Sequence, residues 1–409
     1  MFRRISILFF IFFLFLQCTR DFSTFPIAPE FRSLTPLEKK LGESGNVFGL
    51  KLFREIARTQ QDSNIFISPM SISMALAMTW NGAAGTTEQA MRNTLEFGDM
   101  SSQEINESFR SLIQLLTSLD PEVQFQIANS IWYRLGFDVE KDFVDINRTY
   151  FNAEVRSLDF SLPSAVDVIN SWVNENTNGK IKEIIKKIDP EIVMFLINAI
   201  YFKGTWTYQF DKDETRDDWF TKPDSSQVSC KLMRQENDFQ YFETDDFQAV
   251  DLPYGKGRFS MTVILPKPDK SVDSLIAVMN SENWAEWTGS FKKEHGTLLL
   301  PRFKLEYEIK LNDVLKALGM EIAFEPGIAD FTNINKEGGL YISEVRHKTF
   351  VKVDEEGTEA AAVTVVEIGR TSVGPHGFYM KVNRPFLFVI RENSSNTILF
   401  MGKIIEPME

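Results

Sequence analysis

The sequence predicts an α+β fold, and three observations carry the prediction. Strand-like and helix-like segments come in mixed blocks, without the strict alternation that builds a parallel sheet. The stretch IVMFLINAIYFKGTW, Ile192 to Trp206, is a near-continuous apolar run with a β-branched and aromatic bias, the mark of a central strand buried on both faces. No repeat, low-complexity tract or linker divides the 409 residues, and a composition of 43% hydrophobic and 25% charged residues is that of a folded globular chain.

After a polar, Pro-containing arm (Thr24 to Pro36), GNVFGLKLFREIART places Val47, Phe48, Leu50, Leu52, Phe53 and Ile56 at helical spacing. NIFISPMSISMALAMTWNGAAG follows, with a Ser-Pro helix start and an apolar body that predicts a buried central helix. A helical pair covers Thr86 to Leu119, with a loop around Gly98 to Ser102. VQFQIANSIWYR, Val123 to Arg134, alternates as a strand, and helical material is expected from Phe143 to Lys187. Beyond Trp206 the strand candidates are QVSCKLMRQ, DFQAVDLPYG, RFSMTVILP, GTLLLPRFKLEYEI, HKTFVKV, PFLFVIRE and TILFMGKIIEP, with helices at Ser271 to Thr288 and Leu311 to Gly319.

The first residues, MFRRISILFFIFFLFLQC, set Arg3 and Arg4 before an unbroken apolar run to Leu16, too short to span a bilayer comfortably and right for an export signal. Cys18 stands where bacterial lipoprotein signals place the acylated cysteine, although Phe15-Leu16-Gln17 departs from the usual small residues before it. Lipidation at Cys18 and ordinary secretion both stay open, and the location expected is extracytoplasmic: secreted, or lipid-anchored at the cell surface or periplasm. Removing residues 1–17 takes away two arginines and no acid, leaving 42 basic against 57 acidic residues, a net charge of −15. Such a surface repels nucleic acid. The densest basic run, KIKEIIKK from Lys180 to Lys187, reads as a solvated face. With Cys18 in the leader, Cys230 is the other cysteine, so a disulfide framework is excluded.

Catalytic motifs are missing. Neither H-E-x-x-H, G-x-S-x-G, a phosphate-cradling Gly-rich loop nor a Cys/His cluster occurs, so no metal, nucleotide or other cofactor is expected and the chain is read as no enzyme. A Ser-His-Asp triad assembled across the fold from His295, His347 or His376 is the alternative that sequence leaves open. Asn106, Asn147 and Asn393 fit the glycosylation sequon.

One segment fits no ordinary element. VDEEGTEAAAVTVVEIGRTSVGPHGFYMKV, Val353 to Val382, is strand-like from Thr358 to Glu367, yet no turn signal closes a hairpin before Gly374-Pro375. As a plain loop it would be unusually long. Its alternate residues Thr358, Ala360, Ala362, Thr364 and Val366 are uncharged and small or β-branched; the other set, Glu359, Ala361, Val363, Val365 and Glu367, carries both carboxylates. One face is fit for burial and the other for water. Gly357 supplies a hinge, and no Pro interrupts the stretch before Pro375.

From Phe48 to Pro407 the chain resembles the serpin family, through signatures in the family's order: NIFISPMSISMALAMTWNGAAGTT, LINAIYFKGTW, DLPYG with MTVILP, LPRFKLE, ISEVRHKTFVKVDEEGTEAAA, and NRPFLFVI with ILFMGKI. The resemblance implies a serpin fold of three β-sheets and about nine helices in a single domain, residues 37–409. A signal peptide (1–17) and an arm (18–36) precede it, and an exposed reactive loop lies at about 355–378. It implies a monomeric suicide inhibitor of serine proteases, or a non-inhibitory binding or chaperone-like member. The hinge residues are Glu355, Glu356, Gly357, Thr358, Glu359, Ala360, Ala361 and Ala362, as inhibitory members have them. Two registers for the cleaved bond are implied: Arg370–Thr371, preferred because a trypsin-like pocket takes Arg370, and Thr371–Ser372, which suits an elastase-like or subtilisin-like protease. Ser68, Ser71, Asn198 and His347 match the family's polar cluster where the central strands part, and Trp206, Arg302 and Glu355 match its gateway for the loop. Thr86 to Phe109 carries no basic stripe, so no polysaccharide cofactor is expected.

Overall fold

The computed structural model describes residues 34–358 and 377–409. In chain order its elements are α1 (Pro36–Thr59), β1 (Ile65–Ile67), α2 (Pro69–Trp80), α3 (Gly85–Thr94), α4 (Ser102–Ser118), β2 (Val123–Arg134), α5 (Lys141–Phe151), β3 (Glu154–Leu158), α6 (Ser164–Asn176), β4 (Met194–Thr205), β5 (Arg216–Thr221) and β6 (Gln227–Glu243). There follow β7 (Phe247–Tyr254), β8 (Phe259–Pro266), α7 (Val272–Val278), α8 (Ser281–Gly289), β9 (Lys292–Pro301), β10 (Phe303–Lys310), α9 (Asn312–Leu315), β11 (Arg346–Val353), β12 (Gly357–Thr358), β13 (Phe378–Lys381), β14 (Phe386–Glu392) and β15 (Ile398–Ile404).

The described residues thus hold nine α-helices in an α+β arrangement. One sheet has the order β10-β11-β12-β4-β2-β3, and a nine-stranded ladder runs β1-β15-β14-β8-β7-β6-β9-β13 with β5 on β6. That ladder is two leaves joined by the long β6, whose first residues pair with β5 and whose last pair with β7, giving the three sheets expected. β4 is buried from both sides: Ile200 and Phe202 enter the main core, while Ile197 and Phe195 join Trp132, Ile169 and Val173 beneath α6. α2 crosses the centre, with Ser68 accepting from Ser71 N and Pro69 opening the first turn, as the Ser-Pro start predicts.

Four local expectations are revised. α1 starts at Pro36, earlier than its apolar spacing suggests, because Thr35 and Glu38 form a capping box around it. The stretch from Phe143 to Lys187 is not helical throughout. Asn152 ends α5 in a left-handed conformation, β3 then pairs in parallel with β2, and the lysine-rich run has no regular structure. Within that run Ile181 is buried and Lys180 sits 5.1 Å from the Phe350 ring centre, so it is not a simple solvated face. The expected strand GTLLLPRFKLEYEI breaks at Arg302 into β9 and β10, which serve different sheets.

The three sequon asparagines are packing residues. Asn106 exchanges two amide hydrogen bonds with Asn81, Asn147 donates to Phe143 O, and Asn393 donates to Gly257 O and Ser260 Oγ.

Candidate functional site: a two-residue strand at the top of the central sheet

β11 ends at Val353, and the chain turns through Asp354 to Glu356 and returns as β12. Thr358 of β12 is paired with Val353 on one side and Gly204 on the other, while Gly357 faces Thr205 of β4. Among the described residues β4 and β11 share no ladder of their own; β12 alone bridges them. Below Thr358 lies a cavity lined by Ile200 and Phe202 of β4 and Thr349 and Val351 of β11. Gly357 has φ +152°, and a Cβ there would come within 2.0 Å of Gly204 O, so only glycine turns the chain so close to β4. Thr358 is 2% exposed, and its Oγ1 lies 2.6 Å from Tyr254 Oη.

Trp206, Arg302 and Glu355 lie together at the turn that leads into β12. Arg302, at the β9–β10 corner, sets Nε 2.7 Å and Nη2 2.5 Å from Glu355 Oε1, which also accepts from Thr215 Oγ1 at 2.6 Å. Trp206 donates its indole N–H to Asp354 O and its backbone N–H to Glu356 O, and Phe210 N donates to Glu355 O. Glu356 pairs with Lys212. Burial alone would raise the Glu355 carboxyl, but the hydrogen bonds from Arg302 and Thr215 outweigh it and hold the pKa below the usual glutamate value. Removing Arg302 leaves a carboxylate whose side chain is 3% exposed without its cation. Arg302→Ala should therefore cost about 3 kcal/mol in urea unfolding; Glu355→Gln on top of it should restore part of the loss.

The polar cluster is only partly assembled. Ser68 donates its backbone N–H to His347 Nε2 at 3.0 Å and its hydroxyl to Leu399 O at 2.7 Å, and Ser71 N donates to Ser68 Oγ at 3.2 Å. Asn198 stands apart from these three. Its Nδ2 donates to Asn129 Oδ1 at 2.7 Å, directly across the β2–β4 pair, and its own Oδ1 is buried with no partner among the described residues. Asn198 is on β4 and His347 on β11, and among the described residues those two strands share no ladder. Burial pushes the His347 imidazole down to about 3, so it is a neutral acceptor. Cys230 is buried, its thiol raised to about 11, and it is chemically quiet.

Cys18, Glu359, Ala360, Ala361, Ala362, Arg370, Thr371, Ser372 and His376 lie outside the described residues. Sequence reading passed over Tyr254. In DLPYG it looks like the end of a strand, and only the ring contact with Trp206 and the hydroxyl contact with Thr358, 104 residues away, reveal it.

The comparisons with known proteins agree with this geometry. The family description Serpin (serine protease inhibitor) matches residues 43–407. Neuroserpin of Homo sapiens is 35% identical over 372 residues, covering 88% of this chain and 90% of the relative. Among solved structures, the native state of the thermophilic serpin tengpin superposes with TM-score 0.82 at 36% identity, covering 92% of this chain and 96% of that one. Human thyroxine-binding globulin superposes with TM-score 0.84 at 31% identity, covering 91% and 100%. With that match over residues 43–407 and these relatives, the chain belongs to the serpin family.

The motif-based expectation that the chain is no enzyme is corrected by the same match. The matched description speaks of inhibiting a class of enzymes and makes no statement about catalysis, so the missing motifs decide nothing. Among the described residues, no helix is long and apolar enough to cross a membrane.

Proposed function

We propose that this chain is a suicide inhibitor of serine endopeptidases, in which the loop at about 355–378 is bait and, once cut, becomes a strand of the central sheet. One observation carries the reading: the hinge begins between β4 and β11, and among the described residues those strands share no ladder of their own. Strand insertion of this kind is an established example of sheet augmentation and stored strain, and is not our inference. What belongs to this chain is the fit.

Continuing the register of Thr358 against Gly204 and Val353, Ala360 would fall between Phe202 and Val351, and Thr364 between Asn198 and His347. The uncharged alternate face from Thr358 to Val366 would then meet the core, with a hydroxyl at the level of Asn198 Oδ1, which has no partner among the described residues. Glu359 and Glu367 would face water.

In this reading a target protease attacks the backbone carbonyl carbon of the residue before the scissile bond. The peptide C–N bond breaks, the new amine leaves, and an acyl-enzyme ester remains. Insertion then carries the tethered protease away before water can release it, driven by a native fold that is a kinetic trap. The bond is Arg370–Thr371, because Arg370 is the one strongly specific side chain near the expected spacing; Thr371–Ser372 is the alternative register. The preferred target is trypsin-like. Residues 1–17 are read as an export signal and 37–409 as the inhibitory domain, with an extracytoplasmic protein either acylated at Cys18 or secreted free. The likeness to a thyroxine-binding globulin favours a second reading, a non-inhibitory binding protein.

Incubation with trypsin-like, elastase-like and subtilisin-like proteases, followed by denaturing electrophoresis and N-terminal sequencing of the released peptide, separates these readings. Inhibition gives a denaturant-stable complex and a peptide beginning at Thr371. A peptide beginning at Ser372 moves the bond by one residue, and clean cleavage without any complex leaves the binding protein.

A further inference from the structure

We infer that Tyr254 is a positioning residue for the hinge: its phenol hydroxyl captures the Thr358 side chain and seats the first residue of the inserting strand between β4 and β11. The inference rests on the insertion reading above, but its test needs no protease. Tyr254 ends β7, fully buried, with its ring stacked on Trp206 at 4.4 Å and 12° and edge-on to Phe202 at 5.1 Å. Gly204 makes room for that ring, since a Cβ there would lie 2.7 Å from Tyr254 Cδ1. Gly204 is also the β4 partner of Thr358, so the missing side chain on β4 lets the phenol reach through to the hinge. Burial holds the phenol pKa well above its usual value, so the hydroxyl keeps its proton and can donate to Thr358 Oγ1 at 2.6 Å.

The chemistry selects one kind of residue. With Thr358 in place, two buried hydroxyls satisfy each other. With Thr358 withdrawn, or replaced by a residue lacking a hydroxyl, the phenol is left buried without that partner, and a site built to bond a hydroxyl penalises its loss. The aromatic pair Trp206–Tyr254 thereby grips the hinge at two points: Trp206 holds the turn at Asp354 and Glu356, and Tyr254 holds the side chain that follows.

The test is a double-mutant cycle of Tyr254→Phe and Thr358→Val, each removing one hydroxyl at nearly constant volume, read by amide hydrogen exchange at Gly357–Thr358 in the intact chain. Each single variant should raise exchange about fivefold to tenfold, the double should do no more than either, and Thr358→Ser should stay at the wild-type rate. Wild-type exchange in Tyr254→Phe, or effects that multiply in the double, would overturn the inference. If Tyr254→Phe does not fold, Thr358→Val against Thr358→Ser decides, because equal exchange in those two denies the hydroxyl any role. A wild-type chain that traps no protease would remove the inhibitor reading while leaving this result standing.

Discussion

If the cut loop inserts as proposed, Thr358→Arg should abolish inhibition while leaving the loop cleavable, so that the variant is turned over as a substrate. Thr358 is 2% exposed, wedged between Val353 and Gly204 with its hydroxyl on Tyr254. An arginine there either buries an unpaired charge or keeps the hinge out of the sheet, at a penalty of several kcal/mol. At 1.4 kcal/mol per tenfold, about 3 kcal/mol already lowers the trapped fraction roughly a hundredfold. The measurement is the number of inhibitor molecules consumed per protease inactivated, beside a gel for the stable complex. Glu359→Arg is the control: in the inserted strand it would fall on the alternate face, toward water, and it should leave trapping unchanged. Retained trapping by Thr358→Arg would refute the insertion account.

The second large effect is a pH dependence written by one residue. His347 is buried and neutral, its Nε2 accepting from Ser68 N, and burial pushes its pKa down to about 3. In the unfolded chain an imidazole takes up its proton near pH 6.5. Between these values the unfolded state binds the extra proton and the folded state does not, so stability falls as pH drops below about 6.5, by up to about 1.4 kcal/mol per unit from this group alone. Above that pH the contribution is constant. Paired carboxylates such as Glu355, held below their usual range, lose their contribution only at lower pH, so the window from pH 6.5 to 5 separates His347 from them. Urea midpoints across that window should slope more steeply for the wild type than for His347→Gln. Parallel slopes would mean that His347 takes up its proton in the fold.

What sequence reading could see divides along physical lines. Strands with strong alternation or long apolar runs, such as β2, β4, β8 and β14, were legible because their side chains alone say which face is buried. The helix start at Ser68-Pro69 was legible because a cap is a local hydrogen bond. The short strands β3, β5 and β13 were not, since four to six residues hold no period and exist only by pairing with a distant partner. The corner at Arg302 was hidden for the same reason, because Pro301 and Arg302 look like the middle of one strand until β9 and β10 are seen in different sheets. At the site, Ser68, Ser71 and His347 lie together, and so do Arg302, Glu355 and Trp206. Asn198 did not join them, because which side of the parted strands a residue occupies is a property of the sheet rather than of any motif.

The central claim is that the cut loop becomes a strand between β4 and β11, and one comparison addresses it directly: the thermal midpoint of the intact chain against that of the same chain nicked once within residues 359–376. Nicking should raise the midpoint by about 10 °C or more, because the new strand completes the ladder between β4 and β11. A midpoint that stays the same or falls, as for an ordinary severed loop, would contradict it.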